Sequence, residues 1–288
     1  MKVLFLMVLF ISILLIIYKA YKNTQKVTLN KVNLPIPDSH HQHGPLLYIL
    51  QISDMHIERI SISPEQLYNK VAGEKIDLIA ITGDFLDKKS TIPKLIPYLK
   101  VLQRLNAPFG LYAVFGNHDY VLKQNELEML REVLENHGCK ILQNEHEVIF
   151  FEGKRVNIIG VDDFHTKKSD LHKSFSSLKE GYDLVLTHDP NIVLTMKDYQ
   201  YDYLLSGHFH GGQIHWPKPY HLAKLARTMM QMNMIKGLLY YDDKPFYISE
   251  GLGQTSVNIR IGTRPEITLH QLSLYEIEKE KALLAVYD

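Results

Sequence analysis

The sequence predicts an α/β (α+β) fold built on two sheets with helices packed against them. Three observations carry this expectation. Short apolar runs bounded by polar or glycine residues recur through the first half, separated by stretches of helical spacing. A second series of short apolar runs fills the middle of the chain and supplies strands for another sheet. Most runs end in a cluster of glycine with Asp, Asn or His, and open α/β sheets bind ligands outside the carboxyl ends of their strands.

The chain opens with Met1-Lys2 and the run Val3 to Tyr18, apolar but for Ser12. This is slightly shorter than the roughly 17–25 residues of a spanning helix, but Ala20 and Tyr21 extend it while Lys19 snorkels. No small-x-small cleavage site follows, so residues 1–22 read as an uncleaved transmembrane anchor. Lys19, Lys22, Lys26 and Lys31 outweigh Lys2 and the terminal amine, which by the positive-inside rule places the catalytic part in the cytoplasm. Residues 23–45 are polar, with Pro35, Pro37 and Pro45, and read as a linker or as an arm lying over the domain surface. Its cluster of His40, His41 and His43 reads as a solvated surface feature. Residues 46–288 then form one domain.

Leu46 to Ile52 is the first buried strand, and it ends in Asp54-Met55-His56. Pro64 to Ala72 reads as a short helix. Ile76 to Thr82 is a strand ending in Gly83-Asp84-Phe85-Leu86-Asp87, Ile92 to Gln103 a helix, and Gly110 to Phe115 a strand ending in Gly116-Asn117-His118-Asp119. These polar clusters are expected to converge. After an amphipathic helix over Glu126 to His137, Cys139 falls in a turn. Strands around Lys140 to Leu142, Glu147 to Phe151 and Val156 to Val161 begin the second sheet, the last ending in Asp162-Asp163, which reads equally as support for a site or as the turn itself. Asp183 to Thr187 ends in His188-Asp189-Pro190, and Tyr201 to Ser206 in Gly207-His208-Phe209-His210-Gly211-Gly212-Gln213. In extended backbone His208 and His210 would point to one side, while the glycines let the main chain bend and approach what they hold.

Beyond Gln213 the sequence carries its only tryptophan, Trp216, and then a Met-rich basic segment, His221 to Lys236. That segment reads either as a helix packing its Met face on the core or as a cap or interfacial anchor for lipid. Leu238 to Tyr241 and Phe246 to Ser249 read as a hairpin, and Ile267 to Leu274 as a closing strand. Arg260 and Arg264 are candidates for contact with substrate phosphate, or for solvation and pairing with Glu266.

Composition narrows the function. Lys and Arg number 32 against 32 for Asp and Glu, so no global positive field points to nucleic acid. One cysteine excludes an intramolecular disulfide framework and a thiolate metal cluster. Fifteen histidines are many for 288 residues, and imidazole is the commonest side-chain ligand of transition metals.

Taken in order, Asp54-x-His56, Gly83-Asp84-x-x-Asp87, Gly116-Asn117-His118-Asp119, the lone His188 and Gly207-His208-x-His210 resemble the signature of the calcineurin-like metallophosphoesterase superfamily. His210-Gly211-Gly212-Gln213, Gly251-Leu252-Gly253 and the run Arg260, Gly262, Arg264, Pro265, Glu266 further resemble its bacterial, often membrane-anchored branch of phosphodiesterases and UDP-2,3-diacylglucosamine pyrophosphatases. The resemblance implies a four-layer αββα sandwich, two mixed sheets face to face with helices outside, and two divalent metal ions bridged by Asp84, one also held by Asp54, His56 and His210, the other by Asn117, His188 and His208. Such mixed nitrogen and oxygen ligands suit Mn, with Zn, Fe or Mg as alternatives. It implies His118 as the catalytic residue that stabilises or protonates the leaving oxygen, Asp119 as its orienting partner, and Asp87 as a loop brace that does not reach the metals. The activity implied is hydrolysis of a phosphoester or pyrophosphate by metal-bound hydroxide, on a nucleotide-linked lipid of lipid A biosynthesis, at a bacterial inner membrane. A nuclease, an envelope-facing phosphoesterase and a non-catalytic scaffold are the competing readings.

Overall fold

The computed structural model describes residues 1–34, 44–219 and 222–274, so His40, His41 and His43 lie outside the described residues. Helix α1 (Lys2–Asn23) is long and apolar enough to cross a membrane, with a mean hydropathy of 2.7, and nearly all its side chains are exposed. The chain continues through β1 (Thr28–Asn33), β2 (Leu46–Ile52), α2 (Pro64–Val71), β3 (Leu78–Thr82), α3 (Ile92–Arg104), β4 (Leu111–Val114), α4 (Gln124–Asn136) and β5 (Cys139–Ile141). There follow β6 (Glu145–Phe151), β7 (Lys154–Gly160), α5 (Leu171–Ser174), β8 (Tyr182–Leu186), β9 (Tyr203–Ser206), α6 (Leu222–Leu225), α7 (Arg227–Gln231), β10 (Gly237–Tyr241), β11 (Lys244–Ile248) and β12 (Glu266–Ser273).

The strands make two six-stranded mixed sheets, ordered β1-β12-β2-β3-β4-β5 and β10-β11-β9-β8-β7-β6. Side-chain alternation explains how they stack. Leu47 and Ile49 of β2 join Tyr203, Leu205 and Tyr247 of the opposite sheet in the central core, whereas Leu50 and Ile52 point the other way, into a core shared with Leu67, Leu99 and Leu130 of α2, α3 and α4. On the far side Val185, Leu204 and Phe246 pack with Leu222, Met229 and Ile235. Each such fully buried side chain contributes about 1.5–3 kcal/mol. A buried polar network also crosses between the sheets. Gln51 Nε2 donates to Thr82 Oγ1 and to the Ser206 carbonyl, its Oε1 lies 3.0 Å from His270 Nε2, and His270 Nδ1 lies 3.0 Å from the Tyr203 hydroxyl.

Local signals set most boundaries. Helix α2 starts where they predict, because Ser63 Oγ accepts the Gln66 N–H, Gln66 returns the bond to the Ser63 N–H, and Pro64 needs no donor.

Four expectations are corrected. Residues 23–45 are not simply a linker: β1 lies within them, parallel to β12, with Thr28 opposite Glu266 and Asn33 opposite Gln271. β5 belongs to the first sheet, beside β4, and Cys139 is its buried first residue instead of a turn residue. The Met-rich segment is two short helices broken at Ala226, whose φ is −144°. Its Leu222, Met229 and Ile235 are buried in the core, with Met230 and Met234 packed against it, so core packing accounts for most of its apolar face.

The membrane-type helix is joined to the domain. Ala20 is buried, its carbonyl accepts the Arg260 N–H at 2.9 Å, and Asn23 Nδ2 donates to the Arg260 carbonyl at 3.0 Å.

Candidate metal centre

Strands β2, β3, β4, β8 and β9 deliver the predicted polar clusters to one end of the sandwich, and their loops are stitched together. Asp54 N–H donates to the Gly83 carbonyl, His56 N–H to that of Asp84, and Gly207 N–H to that of His188. Five of the seven predicted ligands, Asp54, His56, Asp84, His208 and His210, have positive φ, between 37° and 71°. Non-glycine residues avoid this region, so the site stores backbone strain that the surrounding packing sustains. It also places His208 and His210 differently from an extended strand: each joins a different group of donors, with Phe209 buried between them.

The first group is Asp54, His56 and His210, and the second Asp84, His188 and His208, the donor atoms of each lying within 4.8 Å of one another. Asp54 is oriented by the Ser53 hydroxyl at 2.6 Å and by the His208 N–H at 3.0 and 3.1 Å. Asp84 stands between the groups. Its Oδ1 accepts the His118 N–H at 2.8 Å, while Oδ2 lies 3.4 Å from His56 Nε2 and 3.1 Å from His188 Nε2. His188 Nδ1 lies 2.8 Å from the Thr82 carbonyl and donates to it, and its Nε2 lies 3.2 Å from Asn117 Oδ1 and 3.1 Å from His208 Nδ1.

The donor set fits divalent cations. His56 Nε2 and His208 Nε2 are buried and have no hydrogen-bond partner, an expensive state for polar atoms unless a cation takes the lone pair. Burial and the neighbouring charges of His188 and His165 hold His208 well below the usual imidazole range; burial, His56 and Arg260 do the same for His210. Both stay neutral, the form that ligates. Burial opposes ionisation of Asp84, but the adjacent His188 more than offsets it and keeps the carboxyl well below the usual range. The close quarters also explain the glycines: a Cβ on Gly116 would collide with Asp84 Oδ1, and one on Gly207 with the Ser53 hydroxyl and the Asp54 carboxylate.

Around the ligands the structure changes several roles. Asp119 does not orient His118. It is fully buried, and its carboxylate accepts the N–H groups of Asp84, Phe85, Leu86 and Gly116, clamping the loop after β3 to the loop after β4. The orienting partner is Asp87, whose Oδ1 lies 2.8 Å from His118 Nδ1 and 3.3 Å from His56 Nδ1, while Oδ2 receives Arg59 at 3.1 Å. Asp87 is thus a brace, as expected, but for two site histidines as well as a loop. Burial lowers the His118 pKa, yet Asp87, with help from Asp84, raises it to about 9.

Arg260 does not meet substrate. It is fully buried, and its guanidinium donates to the carbonyls of His210, Glu250, Gly251 and Gly253. Its Nη2 also lies 3.5 Å from His210 Nδ1, so this side chain holds the His210 loop in place. Arg264 lines a cavity with Lys19, Asn23 and Lys236 at the end of α1, apart from every predicted metal ligand. Asp162 accepts from the Tyr120 hydroxyl and Gln143, and Asp163 Oδ2 accepts the Thr166 N–H, so the pair builds the turn after β7. That turn carries a residue the sequence did not single out. His165 sits 5.4 Å, ring centre to ring centre, from His208, and no local pattern marks it in advance.

Two facing mixed sheets whose strand ends gather buried carboxylates and imidazoles into two adjoining donor sets define a metal-dependent hydrolase of phosphoric esters. Residues 47–212 match the family model described as calcineurin-like phosphoesterase, and the chain belongs to that family. It is 58% identical over 256 residues to the uncharacterized metallophosphoesterase YkoQ of Bacillus subtilis, covering 89% of this chain and 94% of that one. It is 27% identical over 286 residues to the UDP-2,3-diacylglucosamine pyrophosphatase LpxG of Chlamydia muridarum, covering 82% and 85% of the two. It is 26% identical over 228 residues to the phosphodiesterase YaeI of Escherichia coli, covering 78% and 81%.

Proposed function

We propose that the chain hydrolyses a phosphodiester or pyrophosphate bond with two divalent cations, manganese first among Mn, Zn, Fe and Mg. Asp54, His56 and His210 would hold one, Asn117, His188 and His208 the other, with Asp84 placed to serve both. The observation that carries this reading is the Asp84 carboxylate, pinned through Oδ1 and reaching both donor sets through Oδ2. Such a cation pair would bind phosphoryl oxygens and make a water more acidic and so a better nucleophile. The chain's residues do the rest. Asp54 and Asp84 supply the negative charge that retains the cations, and neutral Asn117 limits it where an anionic substrate enters. His118, with its side chain about a third exposed and its Nδ1 held by Asp87, donates a proton to the leaving oxygen.

For the substrate we propose a nucleotide-linked lipid, with UDP-2,3-diacylglucosamine giving UMP and a lipid phosphate as the specific candidate for lipid A biosynthesis. The name carried by the LpxG relative supports it, as does α1, which we read as an anchor in a bacterial inner membrane with the domain on the cytoplasmic side. A reporter fused at the C-terminus tests that orientation. The decisive experiment supplies manganese-loaded protein with UDP-2,3-diacylglucosamine and, separately, bis(p-nitrophenyl) phosphate. UMP release supports the full reading. Cleavage of the model diester alone redirects it to another phosphoester, and cleavage of neither overturns it.

A further inference from the structure

A cavity of about 610 Å³ opens beside the second donor set. His165 and Asp189 belong to its wall and also lie with His208 in one group of donor atoms within 4.8 Å, so cavity and metal centre share a boundary. The turn that places His165 is pinned by the Asp163 bonds to Thr166 and Lys168. Lys167 and Arg227 also line it, exposed cations with no acidic partner among the described residues. Asp189, the one carboxylate in the wall, is buried and accepts two bonds from Asn191. Ser169, Thr195 and Thr228 add hydroxyls, and Phe164, Leu194 and Leu225 make an apolar floor.

We infer that this cavity is a subsite for a second phosphate group, the one next to the scissile phosphorus, with the organic body attached to it lying on the apolar floor. The inference rests on the proposed two-cation reading and specifies it: the substrate is a diphosphate-linked compound instead of a simple diester. Charge requires the partner to be anionic, because Lys167 and Arg227 face an opening whose only acid is tied down. Phosphate accepts from ammonium, guanidinium and hydroxyl together.

The test is calorimetric binding of UDP and UMP to the manganese-loaded full-length chain in detergent. UDP is expected to bind about tenfold or more tightly than UMP. In a Lys167→Gln, Arg227→Gln double variant that preference disappears, and in Lys167→Arg, which keeps the charge, it remains. Equal affinities in the unaltered chain, or a preference untouched in the double variant, overturn the subsite. Diester hydrolysis by the same preparations reports separately on the two-cation reading.

A second inference rests on the segment that follows the His210 loop. Trp216 is 75% exposed, yet the backbone beside it is anchored next to the end of α1. His215 N–H donates to the Ile261 carbonyl at 2.8 Å, and the neighbouring Arg260 N–H donates to Ala20 at 2.9 Å. Val257, 49% exposed, lies in the same stretch. We propose that Trp216 sits in the headgroup layer of the bilayer that α1 enters, where an indole buries its body and keeps its N–H wet. As the only tryptophan, it reports on itself. In vesicles its emission should shift to the blue and be quenched by lipids brominated near the headgroup, with the signal lost in Trp216→Ser. A solvated, unquenched emission overturns the proposal.

Discussion

Asp84 is the residue on which both donor sets depend, since its two oxygens reach a backbone clamp on one side and two imidazoles on the other. Asp84→Asn removes the bridging charge and leaves His56 and His188 facing an amide. Bound manganese, counted by elemental analysis, is expected to fall from two per chain to one or none, and hydrolysis of the model diester by about a thousandfold or more. Asp87 makes a second prediction. His118 works as a proton donor only while protonated, so turnover declines as pH rises through its pKa, which Asp87 holds at about 9 against burial. Asp87→Asn takes away the stabilising charge, and the alkaline limb of the kcat profile moves to lower pH by about 1–3 units. A limb that stays put would assign it to another group. The seven candidate ligands and His118 all stand in short motifs directly after strands, which the fold gathers at one end of the sandwich. The motifs misassigned the partner of His118, since Asp87 and Asp119 each stand close to it in a motif and only folded geometry separates a clamp on backbone N–H groups from an acceptor for imidazoles.

At the scale of elements, the first sheet begins before the domain boundary that composition suggests. Strand β1 reads as polar, with Leu29 and Val32 only partly buried, and its register comes from a strand 236 residues later, where Asn30 Nδ2 meets Glu266 at 2.8 Å. A chain starting at Lys19 keeps both α1 contacts to Arg260 and is expected to hold metal like the full protein. One starting at Leu34 strips the edge from β12. It should lose at least ~2 kcal/mol, roughly 4–8 °C in Tm, and associate through the bared edge, as thermal unfolding and light scattering would show. Equal Tm for the two chains would refute the assignment of β1 as part of the domain. The Met-rich segment shows the same limit. Its composition suited lipid or core equally, and the break at Ala226 that lets Met229 reach the core follows from packing against β9 and β11.

Across the whole molecule the two sheets are held together at their centre by His270, which burial drives down to a pKa of about 3. It stays neutral between Gln51 and Tyr203. The unfolded chain takes up this proton near pH 6.5, and the folded one only near 3, so the contribution is complete above about 6.5 and is lost as pH falls toward 3. Over the full window that amounts to about 4–5 kcal/mol. Urea midpoints measured from pH 7.5 down to 4.5 should therefore fall more steeply for the native chain than for His270→Gln. Parallel slopes would show that His270 carries no such linkage.

From the sequence alone came the sandwich class, nearly all the strands, the membrane-type helix and the candidate metal ligands. Each is written locally, in an alternation, a run length or a short motif, because strand burial and metal coordination constrain neighbouring residues directly. Tertiary structure decided that Asp87 serves His118, that Arg260 is a buried strut linking α1 to the His210 loop, that β1 closes the first sheet, and that His165, Lys167 and Arg227 surround one cavity. These depend on side chains brought together from distant parts of the chain by packing of the two sheets, and contacts of that kind leave no period or spacing to read.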